Sequence, residues 1–253
     1  MKRNNFSWPS TIGICLLGVL LFMCSCQFED QAKDVLDEAP RLAREGKYEE
    51  ALRKHIWFHD NALNVTPSYY RVRLSYALRD WVALGKKYPK ALDALKDIRD
   101  AKTTRLLGNE FEKDLFMDVK AINFYLKEQR ATVELFKEIG DANYSFAVSV
   151  YDWVDDALIE AREFALARKY LGDPIKRLAT ASLHYEKGVR YIETSQDNNL
   201  KSEVYAPLFV DRVVRLITVL KEAGDMADAQ KIQARALKVV DSTVIRDAFD
   251  EKK

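Results

Sequence analysis

Beyond residue 27, apolar side chains recur at the spacing of an α-helix rather than at the alternating spacing of a β-strand. One stripe runs along residues 74–85 at positions i, i+3, i+4, i+7 and i+11, and similar stripes run along 178–192 and 209–220. The stripes consist of Leu74, Ala77, Leu78, Trp81 and Gly85; of Leu178, Ala181, Tyr185, Val189 and Ile192; and of Phe209, Val213, Leu216 and Leu220. This spacing predicts an all-α fold.

Residues that end helices divide this part of the chain at intervals of mostly about 20 residues, the length of one helix and a turn. A glycine directly after a helix tolerates the left-handed conformation that ends it, and a neighbouring Asp caps the helix that follows. The breaks fall at Gly46, 64–67, 88–89, 108–109, 140–141, 172–174, 195–199 and 224–225. They predict a series of helical hairpins.

The stretch from Asn109 to Ile139 is longer than the others and contains neither Gly nor Pro. At 1.5 Å per residue it would form a single helix of about 45 Å. Alternatively, it forms two helices with an unmarked joint near Lys127. The sequence leaves both possibilities open.

The first 27 residues have the order of a secretory signal. Lys2 and Arg3 form a basic start, and an apolar run follows over residues 12–23. As a helix this run would be roughly 18 Å long, too short for a hydrocarbon core of about 30 Å. Ser25 then places a small residue directly before Cys26. The pattern predicts a leader that is cleaved rather than kept as an anchor.

This leader resembles a bacterial lipoprotein signal. The resemblance implies that residues 1–25 are removed and that Cys26 receives a diacylglyceryl group, which anchors the chain to a membrane. Gln27 stands where an Asp would favour the inner membrane in enterobacterial lipoproteins. We therefore expect a protein of the cell envelope that is lipid-anchored to the outer membrane and faces the periplasm.

The positions of the cysteines and the net charge exclude two further features, an internal disulfide and a basic face for nucleic acid. The three cysteines, Cys15, Cys24 and Cys26, all lie in the leader, so the mature chain can form no structural disulfide within itself. Removal of residues 1–25 takes away two basic residues and no acidic one, which leaves 38 basic against 39 acidic residues and a formal net charge of −1. Because a nucleic-acid-binding face requires a basic stripe, we expect no nucleic-acid partner.

The segment from Gly46 to Leu52 reads Gly-Lys-Tyr-Glu-Glu-Ala-Leu. It resembles the turn and second helix of a tetratricopeptide repeat, in which a Gly, an aromatic residue two positions later and an Ala three further on recur. Small residues recur there because they allow two helices to cross closely. The resemblance is clearest over residues 29–63 and weaker over 200–240, where Gly224, Met226 and Ala229 keep the spacing.

The resemblance implies one domain, residues 26–253, folded as a right-handed solenoid of about four to five helical hairpins. The segment Glu163-Phe164-Ala165-Leu166-Ala167 keeps only the aromatic residue and the final Ala of the pattern. The middle of the chain therefore matches the repeat pattern only in part. A non-repeating helical bundle is the alternative fold.

The sequence offers little for catalysis. His55 and His59 lie four residues apart, so one helical face would carry both imidazoles, but no third ligand follows at a useful spacing. The only other histidine is His184. Nucleophile elbows, phosphate-binding loops and dinucleotide-binding glycine patterns are all missing from the sequence. We therefore expect a protein that is not an enzyme and has neither a cofactor nor a metal site, with His55 in a packing role.

An aromatic strip interleaved with arginines runs from Trp57 to Trp81. Aromatic residues and Arg dominate binding hot spots, so this strip predicts a partner-binding groove. The groove residues are Tyr69, Arg71, Arg73 and Tyr76. The alternative is that these aromatic side chains belong to the core and the arginines are solvated. A second aromatic group, formed by Tyr144, Phe146, Tyr151 and Trp153, is interpreted as core.

Two functions fit these features. The first is a lipid-anchored scaffold or assembly factor that binds an unidentified protein partner of the cell envelope through a groove, since stacked hairpins create extended binding surfaces. The alternative is a small-molecule-binding accessory lipoprotein of a transporter, which requires a pocket with a few convergent polar groups.

Overall fold

A computed structural model describes residues 31–195 and 204–249 of the chain. Within these ranges fourteen α-helices and three short 3₁₀ turns form, and no β-strand is present, which confirms the all-α class. The helices are α1 (31–44), α2 (Tyr48–Val65), α3 (Tyr70–Arg73), α4 (Tyr76–Gly85), α5 (Pro89–Leu107), α6 (Lys113–Leu126), α7 (Gln129–Ala142), α8 (Tyr144–Val150), α9 (Asp155–Glu160), α10 (Phe164–Leu171), α11 (Pro174–Thr194), α12 (Tyr205–Glu222), α13 (Met226–Ala236) and α14 (Thr243–Arg246). The 3₁₀ turns are Pro67–Tyr69, Tyr151–Trp153 and Asp247–Phe249.

The described helices form two compact units. Unit 1 comprises residues 31–101 and 124–127, and unit 2 comprises 102–123, 128–195 and 204–249. Each unit has its own buried apolar cluster. The single repeat domain and the right-handed solenoid stay predictions. None of the helices in the described ranges has both the length and the apolar character needed to cross a membrane.

The core of unit 1 forms where α2 packs against α4. Trp81 is 1% exposed, and its indole Nε1 donates a hydrogen bond of 2.7 Å to the carbonyl oxygen of Ala91 at the start of α5. Ala77 and Leu78, which belong to the predicted stripe, are also buried. The helix begins only at Tyr76, however, so Leu74 belongs to a separate short turn of chain and is half-buried.

The core of unit 2 forms around α12, which packs against α9, α10, α11 and α13. Both stripes predicted for this unit face the core to different degrees. The α12 stripe is fully buried, whereas on α11 only the first two members are buried and the last three are half-buried. The buried members are Leu178, Ala181, Phe209, Val213, Leu216 and Leu220.

The same left-handed turn ends five helices. One residue has a positive φ, its N–H bonds to the carbonyl oxygen three residues back, and the next N–H bonds to the carbonyl oxygen five residues back. This is the Schellman arrangement, which satisfies the last carbonyl groups of a helix. The positive-φ residues are Gly46 (78°), Asn109 (70°), Lys127 (62°), Arg162 (58°) and Gly224 (91°).

Three of these turns lead into the following helix in the same way. The residue after the turn has φ between −85° and −83° and ψ between 53° and 61°, and a fully buried Ala lies four positions later. These pairs are Lys47 and Ala51, Glu163 and Ala167, and Asp225 and Ala229. The small side chains allow the second helix to lie close to its neighbour. The turn at Gly46, in the clearest predicted repeat, therefore recurs at Arg162 and at Gly224.

The joint at Lys127 decides between the alternatives for residues 109–139. α6 ends at Leu126, Lys127 takes the left-handed conformation, and α7 begins at Gln129. The stretch therefore forms two helices, and the joint lies at the expected residue. A helix can end without Gly or Pro here because the Schellman hydrogen bonds offset part of the cost of a non-glycine residue in this conformation.

Replacing Gly224 by Ala is expected to lower the free energy of unfolding by about 1 kcal/mol, since the left-handed conformation costs an L-residue roughly 1–2 kcal/mol. A Cβ atom at this position would have no neighbour within 4 Å, so the expected cost is purely conformational. Urea denaturation of the two proteins measures the difference. Equal stability would contradict the left-handed turn.

Candidate functional site

The four predicted groove residues follow one another through the 3₁₀ turn Pro67–Tyr69, α3 and the first residue of α4. Arg71 is exposed, and Tyr76 is 59% exposed. Tyr69 is half-buried and packs against the apolar cluster of unit 1, whereas Arg73 is 4% exposed. The structure therefore places two of the four residues at the surface and two against the core.

Arg73 is part of the interior of unit 1. Its guanidinium Nη1 lies 3.2 Å from His59 Nε2 and donates a hydrogen bond of 3.4 Å to the carbonyl oxygen of the same residue. A buried charge is costly unless its N–H groups find acceptors, so these contacts hold α3 against α2. Of the four predicted groove residues, only Arg71 and Tyr76 are exposed.

His55 and His59 are also buried, at 3% and 5% exposure. The His55 ring stacks on Trp81 with the centroids 5.6 Å apart, and the His59 ring meets the same indole edge-on at 6.1 Å. Burial lowers the pKa of His55 from 6.5 to about 4, although Asp80 acts in the opposite direction. Over residues 31–195 and 204–249 there is no group of three or more His, Cys, Asp or Glu able to hold a metal.

Cys26 and the predicted signal of residues 1–25 lie outside the described residues. Lipidation at Cys26 and the anchor that it would supply therefore stay predictions.

Unit 2 contains a cleft with a volume of about 400 Å³. It lies among the 3₁₀ turn Tyr151–Trp153, the loop before α11, and helices α11 and α12. Its apolar wall is formed by Val148, Leu171, Leu178, Ala181, Val213, Leu216 and Val219. Its polar residues are Tyr151, Asp152, Asp155, Asp173, Lys176, Arg177, Thr180, Arg212 and Arg215. We call this site the unit 2 cleft.

A charge network on α9 and α12 forms one wall of the unit 2 cleft. Arg215 donates from Nη1 to Asp155 at 2.6 Å and from Nη2 to Asp211 at 2.7 Å. The side chain of Asp155 is 18% exposed. Burial raises the pKa of this carboxyl group from 3.8 to about 6, an effect that Arg215 offsets only in part. The carboxylates of Asp155 and Asp211 together hold the Arg215 guanidinium group in place on the wall of the cleft.

A second network forms another part of the cleft wall. The Arg177 guanidinium lies over the Tyr151 ring, 4.5 Å from its centroid, and bonds to the Asp152 carboxylate and to the carbonyl oxygen of Leu171. Tyr151 itself is 1% exposed. Burial raises the pKa of its hydroxyl group, and the negative charge of the nearby Asp155 raises this pKa further. The hydroxyl is therefore a neutral donor at physiological pH.

Two donors in this cleft have no hydrogen-bond acceptor among the residues that the structure describes. They are the hydroxyl of Tyr151 and the Nε–H of Arg215, and both atoms are buried. A buried donor without an acceptor costs about 1–3 kcal/mol. Both residues line the cleft, so a ligand that brought an acceptor to either atom would recover this cost.

The sequence predicted Tyr151 only as core and did not identify Arg177 or Arg215. Of the second aromatic group, Phe146 and Tyr151 are buried, whereas Tyr144 is 53% exposed and Trp153 is half-buried. The cleft residues were missed because they come from separate helices. One signal was present, since Arg177, Arg212 and Arg215 lie on segments that also carry apolar stripes.

No protein-family model matches this chain, and no curated protein matches it.

Proposed function

We propose that this protein is a lipid-anchored binding protein of the cell envelope that holds a small solute in the unit 2 cleft. This is the accessory role that the sequence offered as its alternative. The observation that carries the proposal is the pair of buried donors without acceptors, on Tyr151 and Arg215, in a cavity of about 400 Å³. Small-molecule sites are concave, largely apolar and provided with a few convergent polar groups.

The lining favours holding a ligand over transforming it. No His, Cys or Ser stands among the described residues that line the cleft. Its carboxylate and guanidinium groups bond to each other, as in a fixed binding surface, and nothing in the lining resembles a nucleophile next to a base. We accordingly propose a protein that is not an enzyme.

A protein-binding scaffold is the second candidate. Exposed apolar side chains on α11, directly before α12 and in its first turn favour it, because such side chains commonly bury against a partner. These are Leu183 (48% exposed), Tyr191 (59%), Val204 (56%) and Leu208 (56%). In this candidate the anchor and the helical hairpins present a surface to another envelope protein.

Thermal unfolding in the presence of fractionated envelope extract separates the two candidates. A Thr180→Trp variant fills the cleft from an exposed position on α11, and Ala179→Trp places the same side chain at an exposed position outside the lining. A ligand of the folded state raises the melting temperature by mass action. We expect the low-molecular-mass fraction to stabilise the wild type and Ala179→Trp but not Thr180→Trp.

Two results would contradict the small-solute function. The first is stabilisation of Thr180→Trp to the same extent as the wild type. The second is stabilisation by the protein fraction alone, which would favour the scaffold.

Replacing Cys26 by Ser is expected to move the protein from the membrane fraction to the soluble fraction. The acyl chains contribute about 0.8 kcal/mol of membrane affinity for each buried CH₂ group. Detergent-phase partitioning of the wild type and the variant measures the change. Cys24→Ser is the matched control and should stay in the membrane fraction. Membrane retention of the Cys26→Ser protein would show that the anchor is not on this residue.

A further inference from the structure

The two buried donors come from different elements, and both belong to residues that line the unit 2 cleft. Tyr151 is in the 3₁₀ turn before α9, whereas Arg215 is on α12. The two Nη groups of Arg215 bond to Asp155 and Asp211, which leaves Nε as the donor without an acceptor. A hydroxyl and a guanidinium N–H together fit an oxygen acceptor, because neither can bind another donor through its hydrogen.

The charge of the lining limits the charge of the ligand. Four cationic residues (Lys176, Arg177, Arg212 and Arg215) and three carboxylates (Asp152, Asp155 and Asp173) line the cleft, and the Asp211 carboxylate bonded to Arg215 brings the formal net charge of the group to zero. A ligand with one negative charge therefore adds a single charge beside the cations of the lining, whereas a dianion adds a second charge that must also be desolvated.

Two cations at the surface of the cleft also favour an anionic ligand. Lys176 and Arg212 are exposed, and neither forms an ion pair with a carboxylate within the part of the chain that the structure describes. Arg212 instead lies 3.2 Å from the Nδ1 atom of His184. Cations that carboxylates do not neutralise attract an anion from solution and raise its association rate.

The remaining wall is apolar. Leu178 on α11 and Val213 and Leu216 on α12 are at most 7% exposed and line the cavity with aliphatic carbon. Each CH₂ group that a ligand buries there gains from leaving water. The ligand therefore has an apolar body as well as an acidic end.

We infer that the unit 2 cleft binds a small amphiphilic monocarboxylate. The acidic group accepts hydrogen bonds from the Tyr151 hydroxyl and from the Nε–H of Arg215, and the aliphatic body lies along Leu178, Val213 and Leu216. This inference rests on the proposed function and adds the chemical class of the solute.

Calorimetric titration of the purified mature chain tests the inference with three probes of equal chain length: octanoate, 1-octanol and octyl phosphate, at pH 7. We expect octanoate to bind at least about tenfold more tightly than 1-octanol, since an oxyanion strengthens both hydrogen bonds. Octyl phosphate should bind more weakly than octanoate because its second charge must also be desolvated.

Two variants locate the acidic group. Tyr151→Phe keeps the ring under Arg177 and removes only the hydroxyl, so octanoate affinity should fall about tenfold or more while 1-octanol affinity stays unchanged. Tyr144→Phe removes the hydroxyl of an exposed tyrosine that bonds to the carbonyl oxygen of Lys169 outside the cleft, and it should bind octanoate like the wild type.

Equal affinities for octanoate and 1-octanol, or unchanged octanoate affinity in Tyr151→Phe, would overturn the inference. Tighter binding of octyl phosphate would overturn the choice of a monocarboxylate. If octanoate does not bind but the low-molecular-mass extract stabilises the wild type and not Thr180→Trp, the inference fails and the proposed function stands. If neither stabilises the wild type, both fail.

Discussion

Lowering the pH from 7 to 5 is expected to reduce the free energy of unfolding of unit 1 by about 2 kcal/mol through His55 alone, because its pKa is about 4 in the folded protein and 6.5 in the unfolded chain. Between these two values the unfolded chain binds a proton that the folded protein does not. The stability is therefore fully present above pH 6.5 and is lost as the pH falls towards 4.

Chemical denaturation at pH 7 and pH 5 measures this effect. His55→Gln removes the titrating group, so its loss of stability between the two pH values should be smaller than that of the wild type by about 2 kcal/mol. Comparing the same protein at two pH values cancels the cost of the substitution itself. His184→Gln, at an exposed position of α11, is the control and should behave like the wild type. An identical pH dependence of His55→Gln and the wild type would contradict a neutral imidazole stacked on Trp81.

Replacing Gly140 by Ala is expected to destabilise unit 2 by about 1–3 kcal/mol, as overfilling of a close-packed core does. An Ala inside a helix is otherwise favoured over Gly by about 1 kcal/mol, so the expected sign is the reverse of the usual one. The new Cβ would overlap the Tyr170 hydroxyl oxygen and lie 2.7 Å from Cζ. Tyr170 is fully buried with its ring edge-on to Phe136, centroids 5.1 Å apart, so it has little room to move.

A double-mutant cycle with Tyr170→Leu isolates this contact. In the Tyr170→Leu background the shorter side chain removes the clash, and Gly140→Ala should then be neutral or stabilising. Thermal or urea unfolding of the four proteins gives the coupling between the two sites. Stabilisation by Gly140→Ala in the wild-type background would show that α7 and α10 do not approach this closely.

Much of the helical structure could be predicted from the sequence because apolar side chains at helical spacing mark a buried face. The stripe on α12 illustrates this, since all four of its residues are buried. The turn at Arg162 could not be predicted, because an arginine occupies the left-handed position where Gly46 and Gly224 stand in the equivalent turns. Where the residue type differs, the sequence therefore does not indicate that the same turn recurs.

The predicted groove residue Arg73 shows a different limit. An arginine is usually exposed, and a continuous helix over residues 74–85 would have supported that expectation. The chain instead ends α3 at Arg73 and begins α4 at Tyr76, which turns the guanidinium towards His59 in the core. Short breaks of this kind change which side chains are buried and have no clear signal in residue spacing.

The unit 2 cleft could not be predicted because its polar residues come from three separate parts of the chain. Tyr151 appears in the sequence as one aromatic residue among several, and Arg177 and Arg215 appear as ordinary charges on amphipathic helices. Their convergence depends on how α9, α11 and α12 pack together. Sequence spacing predicts the faces of single helices but not the cavity that three helices enclose.

The most direct test of a ligand-holding cleft is mass spectrometry of the small molecules that denaturation releases from protein purified out of its own envelope. Wild type, Thr180→Trp and Ala179→Trp are compared at equal amounts. We expect about one anionic, partly apolar molecule per chain from the wild type and from Ala179→Trp, and none from Thr180→Trp. Release of the same molecule from Thr180→Trp, or of none from any of the three proteins, would contradict this account of the cleft.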